Sequence, residues 1–253
     1  MRIFPGLVSI TFRKLSPEEI IRLASDCDLS GIEWGGDVHV PHGNTKRAAE
    51  IAKRSLDAGL MTAAYGSYYR AACSEKEGLP FEEVLETAVV LEAPTIRVWA
   101  GCKGSDKNDP HYFEEVVADL DRIGKMAVKA GCTVSLEFHA DTLTDCTASA
   151  RRLLESLPSH GVQTYWQPPV GASTEEAIEG LLMVLPRLSN VHVFHWEGNK
   201  RRPLSEGAER WAQYFQILRT KNAPRWALLE FVENDDPAVL AREAATLRKL
   251  LKS

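Results

Sequence analysis

The sequence predicts an α/β fold, a single (β/α)8 barrel over residues 1–253, with parallel strands alternating with helices. Three observations carry that prediction. Short apolar, β-branched runs alternate with longer stretches of helical periodicity, as sequential β-α units require. Eight such runs can be marked, the count that closes a barrel. The 253 residues match the ~250 that eight strand–helix units need.

The first strand is expected at Leu7-Val8-Ser9-Ile10, the second at Gly31-Ile32-Glu33-Trp34 and the third at Met61-Thr62-Ala63-Ala64-Tyr65. Residues 95–99, 133–137, 163–166, 191–194 and 226–230 supply the other five. Helix starts are marked between them. Ser16-Pro17-Glu18-Glu19 combines an N-cap, a proline at N1 and a capping-box glutamate. Asp109-Pro110, Ser173-Thr174-Glu175-Glu176 and Asp236-Pro237 repeat the cue. Ala58-Gly59, Ala130-Gly131 and His160-Gly161 mark helix stops before strands, because glycine accepts the left-handed C-cap conformation. An open doubly wound sheet would alternate in the same way, but no GxGxxG turn follows the first strand. No linker or composition shift marks a second domain.

Bulk chemistry narrows the function classes. A net charge of -5 favours solubility and argues against general affinity for a nucleic-acid backbone. No stretch approaches the ~18 uninterrupted apolar residues of a membrane span. Met1-Arg2-Ile3-Phe4-Pro5-Gly6 has no apolar signal-peptide core, so a cytoplasmic protein is expected. Cys27, Cys73, Cys102, Cys132 and Cys146 are odd in number and form no CxxC pair, which predicts reduced thiols.

In such a barrel the active site lies at the C-terminal ends of the strands, and several of those ends are polar here. The fifth strand ends Leu136-Glu137-Phe138-His139 and the eighth Leu228-Leu229-Glu230-Phe231. The sixth ends Trp166-Gln167-Pro168 and the seventh carries His192 and His195. A carboxylate closing a core strand needs a partner or a metal. Two glutamates, an imidazole and an amide oxygen from four consecutive strands suit Mn²⁺, Mg²⁺ or Co²⁺, with Zn²⁺ as a further option. The coincidence of four equivalent positions is the evidence. His192 and His195 lie three apart, so a period-two strand points them to opposite faces. His192 is preferred.

These residues carry a resemblance. Gly31-Ile32-Glu33-Trp34-Gly35-Gly36-Asp37-Val38-His39, Leu136-Glu137-Phe138-His139, Pro186-Arg187-Leu188-Ser189-Asn190-Val191-His192 and Leu229-Glu230 resemble the xylose isomerase-like TIM barrel superfamily. More narrowly, they look like its sugar phosphate isomerase/epimerase branch, across essentially the whole chain. The resemblance implies a divalent metal held by Glu, Asp, His and Glu of strands five to eight. Here these positions are Glu137, Gln167, His192 and Glu230. Two departures stand out. The aspartate is the neutral Gln167, with Val170 where a histidine often follows, and His195 replaces a further aspartate. Either Gln167 or His195 would complete the metal shell.

The implied reaction is isomerisation or epimerisation of a small sugar, ketose or related polyol carbonyl compound through a metal-stabilised enediolate. Glu137 and Glu230 are the expected acid/base pair. Trp34, Tyr65, Tyr68 and Trp99 would wall a sugar face, and Glu33, His39 and Arg97 would bond its hydroxyls, with His139 and His195 as further substrate contacts. Lys200-Arg201-Arg202 reads as a solvated run before an anion site. A dehydratase or lyase on the same scaffold, or a non-catalytic sugar-binding barrel with a decayed metal site, are the alternatives. A nuclease of the same barrel would need histidines that strands three and four lack, so no nucleic acid or membrane partner is expected. A homo-oligomer stays open.

Overall fold

A computed structural model describes residues 3–107, 109–158 and 161–252. Met1, Arg2 and His160, which belong to the N-terminal reading and to one helix stop, lie outside the described residues. Seven barrel strands come first: β1 (Ile3–Val8), β2 (Gly31–Gly35), β3 (Met61–Arg70), β4 (Thr95–Trp99), β5 (Thr133–Leu136), β6 (Val162–Trp166) and β7 (Leu188–Val193). A hairpin of β8 (Trp196–Glu197) and β9 (Lys200–Arg201) precedes the eighth, β10 (Arg225–Leu229). All eight pair in parallel in chain order, and β10 meets β1 to close the ring. Around it lie α1 (Pro17–Asp26), α2 (Thr45–Asp57), α3 (Phe81–Val90), α4 (Pro110–Lys129), α5 (Thr147–Ser156), α6 (Thr174–Val184), α7 (Ala208–Leu218) and α8 (Leu240–Lys252).

The local cues act where the sequence put them. Ser16 and Glu19 form a reciprocal capping box on α1, Ser173 and Glu176 do so on α6, and Asp109 caps α4. Gly59 and Gly131 follow α2 and α4 in the left-handed region. Among the described residues no helix is long and apolar enough to cross a membrane.

Strand alternation then divides the core. Ile32 and Trp34 of β2 and Tyr65 of β3 belong to the larger cluster between barrel and helices. Phe4, Val8, Ala63, Tyr165, Trp226 and Leu228 form a smaller one, the filling of the barrel beneath the site. Trp226 sits against Gly31: a Cβ there would lie 2.6 Å from its ring and 2.6 Å from Met61 O. Gly31→Ala is therefore expected to destabilise the barrel by about 1–3 kcal/mol, as overpacking does. Urea unfolding measures it, and an unchanged midpoint would mean that Trp226 moves aside.

Three expectations are corrected. The first strand covers residues 3–8 rather than 7–10, because Ser9–Phe12 turns into a 3-10 helix. Ser9 Oγ accepts from Gly35 N at 2.9 Å and lies 2.9 Å from His39 Nδ1, which holds that bend. The seventh strand covers residues 188–193 rather than 191–194. Cys73 and Cys102, expected as reduced thiols, form a disulfide with Cα atoms 6.6 Å apart. The loops after β3 and β4 run side by side, a proximity that a separation of 29 residues conceals.

Candidate active site

The strand-end residues that alternation turns inward form one buried layer. Glu33 comes from β2, Arg97 from β4 and His192 from β7; Glu137, Gln167 and Glu230 directly follow β5, β6 and β10. All but the half-buried Gln167 are at most 5% exposed. Gly66 of β3 makes the room, since a Cβ there would lie 2.7 Å from Arg97 Nη2 and 2.9 Å from Glu33 Oε1.

Arg97 organises the layer. Its Nε donates to Glu33 Oε1 at 2.6 Å, and its Nη1 donates to Glu137 Oε2. Trp99 Nε1 donates to the same Glu137 oxygen at 2.6 Å. Burial disfavours the charges of Glu33 and Glu137, but Arg97 and His192 outweigh it for both. Glu33 is held below the usual carboxylate range and Glu137 well below it. Burial likewise works against a charged His192. Glu230 and Glu33 prevail, so its pKa is raised well above the ordinary value.

His192 Nδ1 lies 3.0 Å from Gln167 Oε1, 3.2 Å from Glu230 Oε2 and 3.5 Å from Glu137 Oε1. One ring N–H cannot satisfy three acceptors aimed at it. Gln167 is oriented for this, because its Nε2 donates to Phe138 O at 3.1 Å and turns its oxygen to the cluster. Ligand atoms of Glu137, His192 and Glu230 all lie within 4.8 Å of one another. The charges point the same way. Once His192 is neutral, as a metal-bound imidazole must be, three buried carboxylates against the one guanidinium of Arg97 leave two negative charges, which a dication would cancel. The donor set fits a divalent metal.

Above this layer opens a pocket of about 350 Å³. Arg97, Glu137, Gln167 and Glu230 form its floor, and Tyr68, Trp99, His139 and Phe231 are among its walls. Trp99 and His139 stack with ring centroids 4.2 Å apart. Five expected substrate contacts do not line the pocket: Glu33 lies in the layer beneath, paired with Arg97 and His192, and four lie elsewhere. Trp34 faces the helices because it neighbours the inward Glu33 on β2. Tyr65 turns outward too, and its hydroxyl donates to Val40 O at 2.8 Å. His39 is buried against Ser9. His195 lies past the end of β7, where a Cβ on Gly207 would come within 2.6 Å of its Nδ1. It joins a surface trio with Glu197 and Glu206, but Arg202 already pairs with those glutamates at 3.3 and 2.8 Å. Gln167, not His195, stands beside Glu137, His192 and Glu230.

Residues to which the sequence reading gave no part in the pocket stand around it. Arg13 pairs with Asp37 at 2.5 Å, and Phe231 takes φ 53°. Arg201 of the basic run covers the Phe231 ring at 4.4 Å and pairs with Asp235.

Solved structures with the same architecture were found. A probable 3-DHS dehydratase, AsbF of Bacillus anthracis, is 21% identical with a TM-score of 0.78, covering 98% of this chain and 99% of that one. The 3-keto-D-glucoside 4-epimerase YcjR of E. coli is 17% identical with a TM-score of 0.74, over 100% of both chains. A xylose isomerase-like TIM barrel protein of Mycobacterium smegmatis, in complex with magnesium, is 15% identical with a TM-score of 0.75. It covers 99% of this chain and 98% of that one. At such identities the likeness is one of fold. No curated protein sequence matches this chain. Residues 21–250 match the family described as xylose isomerase-like TIM barrel. With a closed ring of eight parallel strands behind that match, the chain belongs to the xylose isomerase-like TIM barrel family.

Proposed function

We propose that this chain is a divalent-metal-dependent isomerase or epimerase that moves a proton at the carbon beside the carbonyl of a small sugar, ketose or related polyol. The observation that carries the reading is the convergence of Glu137, Gln167 and Glu230 oxygens on His192 Nδ1. Three oxygens and one nitrogen suit Mn²⁺, Mg²⁺ or Co²⁺ better than Zn²⁺. A dication held by Glu137, Gln167, His192 and Glu230 would polarise a carbonyl and stabilise the charge that develops when the neighbouring carbon loses a proton.

The chain's own groups divide the remaining work. Glu230, whose side chain is paired with His192 among the described residues, is the freer carboxylate and takes the proton. Glu137, oriented by Arg97 and Trp99, faces it across the cluster as the second member of the pair. Trp99 with His139 offers a platform for a sugar face. A second reading shares the first step. If a hydroxyl on the next carbon leaves before the proton returns, the enzyme is a dehydratase, and the likeness to AsbF favours keeping it.

Exchange of the substrate α-proton in D2O tests the shared step. With Mn²⁺ present, at least one of a panel of ketoses, inosose-like polyols and hydroxypyruvate is expected to take up deuterium. A chelator should stop the exchange and added cation restore it. Cation and sugar binding without any exchange would leave a non-catalytic barrel.

A further inference from the structure

Tyr68 is placed by a device that ordinary strand pairing does not provide. β3 and β4 pair in register at Gly66 and Arg97, and the next pair is Tyr69 with Val98. Ser67 and Tyr68 are thus bulged out. Ser67 Oγ fixes the bulge by donating to Arg97 O at 2.8 Å and accepting from Tyr69 N at 3.2 Å. Tyr69 anchors the far side, its ring 5.2 Å from that of Phe81. Tyr68 is left at φ 57°. A bulky residue in that region is strained, and such strain persists where the surroundings enforce it. Bulges of this kind re-aim a side chain beside an active site. Here the ring becomes a wall of the pocket whose floor is Glu137, Gln167 and Glu230.

The hydroxyl is prepared as well as positioned. Arg13 Nη2 donates to it at 3.1 Å, and Arg13 is itself held by Asp37. Arg97 Cζ lies 5.0 Å from the ring centroid and Arg13 Cζ 5.8 Å. Because the phenol oxygen accepts from Arg13, its own proton is free to point elsewhere. Two guanidiniums stand ready to stabilise the charge left when that proton departs. Neither isomerisation nor epimerisation needs an acid aimed at a leaving oxygen. Elimination does.

We propose that, in the dehydratase reading, Tyr68 is the oxygen-directed acid that lets water leave a β-hydroxy ketone. This rests on that second reading and on the assignment of Glu230 as the carbon-directed base. Glu230 takes the proton from the carbon between the carbonyl and the hydroxyl-bearing carbon. A carbon–carbon double bond forms there as the β carbon–oxygen bond breaks, with its electron pair going to oxygen. The Tyr68 proton joins that oxygen, and water leaves an α,β-unsaturated ketone. Solvent reprotonates the phenolate and accepts the proton from Glu230, so atoms and charge balance without an oxidant or reductant.

The test uses the full-length, cation-loaded protein and a cyclic β-hydroxy ketone of the inosose class in D2O. Deuterium at the α-carbon, read by NMR, reports the carbon-directed step, and enone absorbance reports elimination. The wild type is expected to show both. In Tyr68→Phe the ratio of elimination to exchange should fall by about 10²-fold or more, the range of a lost general acid. Continued exchange also shows that the variant is folded. An unchanged ratio removes Tyr68 as the acid. Exchange without elimination in the wild type overturns the dehydration while leaving the proposed proton abstraction in place. A wild type that does neither sinks both, and so separates the two failures.

Discussion

Glu230→Gln is expected to lower turnover by about 10²–10⁴-fold, the usual contribution of a positioned base, with little change in the unfolding midpoint. The amide keeps the shape and an oxygen for His192, which lies 3.2 Å from Glu230 Oε2, but it has no lone pair basic enough to take a proton from carbon. Glu137→Gln should lose turnover to the same degree, at a structural cost. Glu137 Oε2 accepts from both Arg97 Nη1 and Trp99 Nε1. An amide nitrogen at that position would set donor against donor, and its rotamer with oxygen there would replace a charge-assisted bond by a neutral one. A loss of about 1–3 kcal/mol follows from a hydrogen bond to a charged group made poorly. Steady-state rates with circular-dichroism melts measure both variants. Full activity in either removes the acid/base pair.

What the sequence made legible is the polarity of the strand ends. Glu137, Gln167 and Glu230 directly follow β5, β6 and β10, and His192 lies one residue before the end of β7, so polarity at the strand ends marks them without coordinates. Strand parity shows where that reading failed. Glu33 and Trp34 are neighbours on β2 and cannot both face inward; only Glu33 does. Tyr65 lies on the outward side of β3, and His195 falls beyond the last paired residue of β7, where alternation no longer applies. Tyr68 was noticed for its ring alone, because the bulge that aims it depends on Ser67 meeting a carbonyl of the next strand. Arg13 with Asp37, and Cys73 with Cys102, join separate loops. Local spacing carries no trace of either.

Arg97→Met is expected to cost about 3–5 kcal/mol of stability in cation-free protein, the price of breaking a buried ion pair from one side. Arg97 is 2% exposed and serves Glu33 and Glu137 at once. Methionine fills much of the same length while leaving three buried carboxylates with only His192 as a positive partner. The bulge that carries Tyr68 is held through the Arg97 backbone carbonyl, so it survives the substitution. Mn²⁺ should therefore help the variant more than the wild type. At 100-fold over its Kd a ligand adds about 2.7 kcal/mol to any protein that binds it only when folded. The variant's excess of buried negative charge tightens Kd, so at a fixed Mn²⁺ concentration its gain is larger. Urea unfolding of both proteins, with Mn²⁺ and with chelator, gives the four stabilities. Equal cation gains would mean that the guanidinium and the dication do not neutralise the same carboxylates, and the charge argument for a metal at this cluster would fall with them.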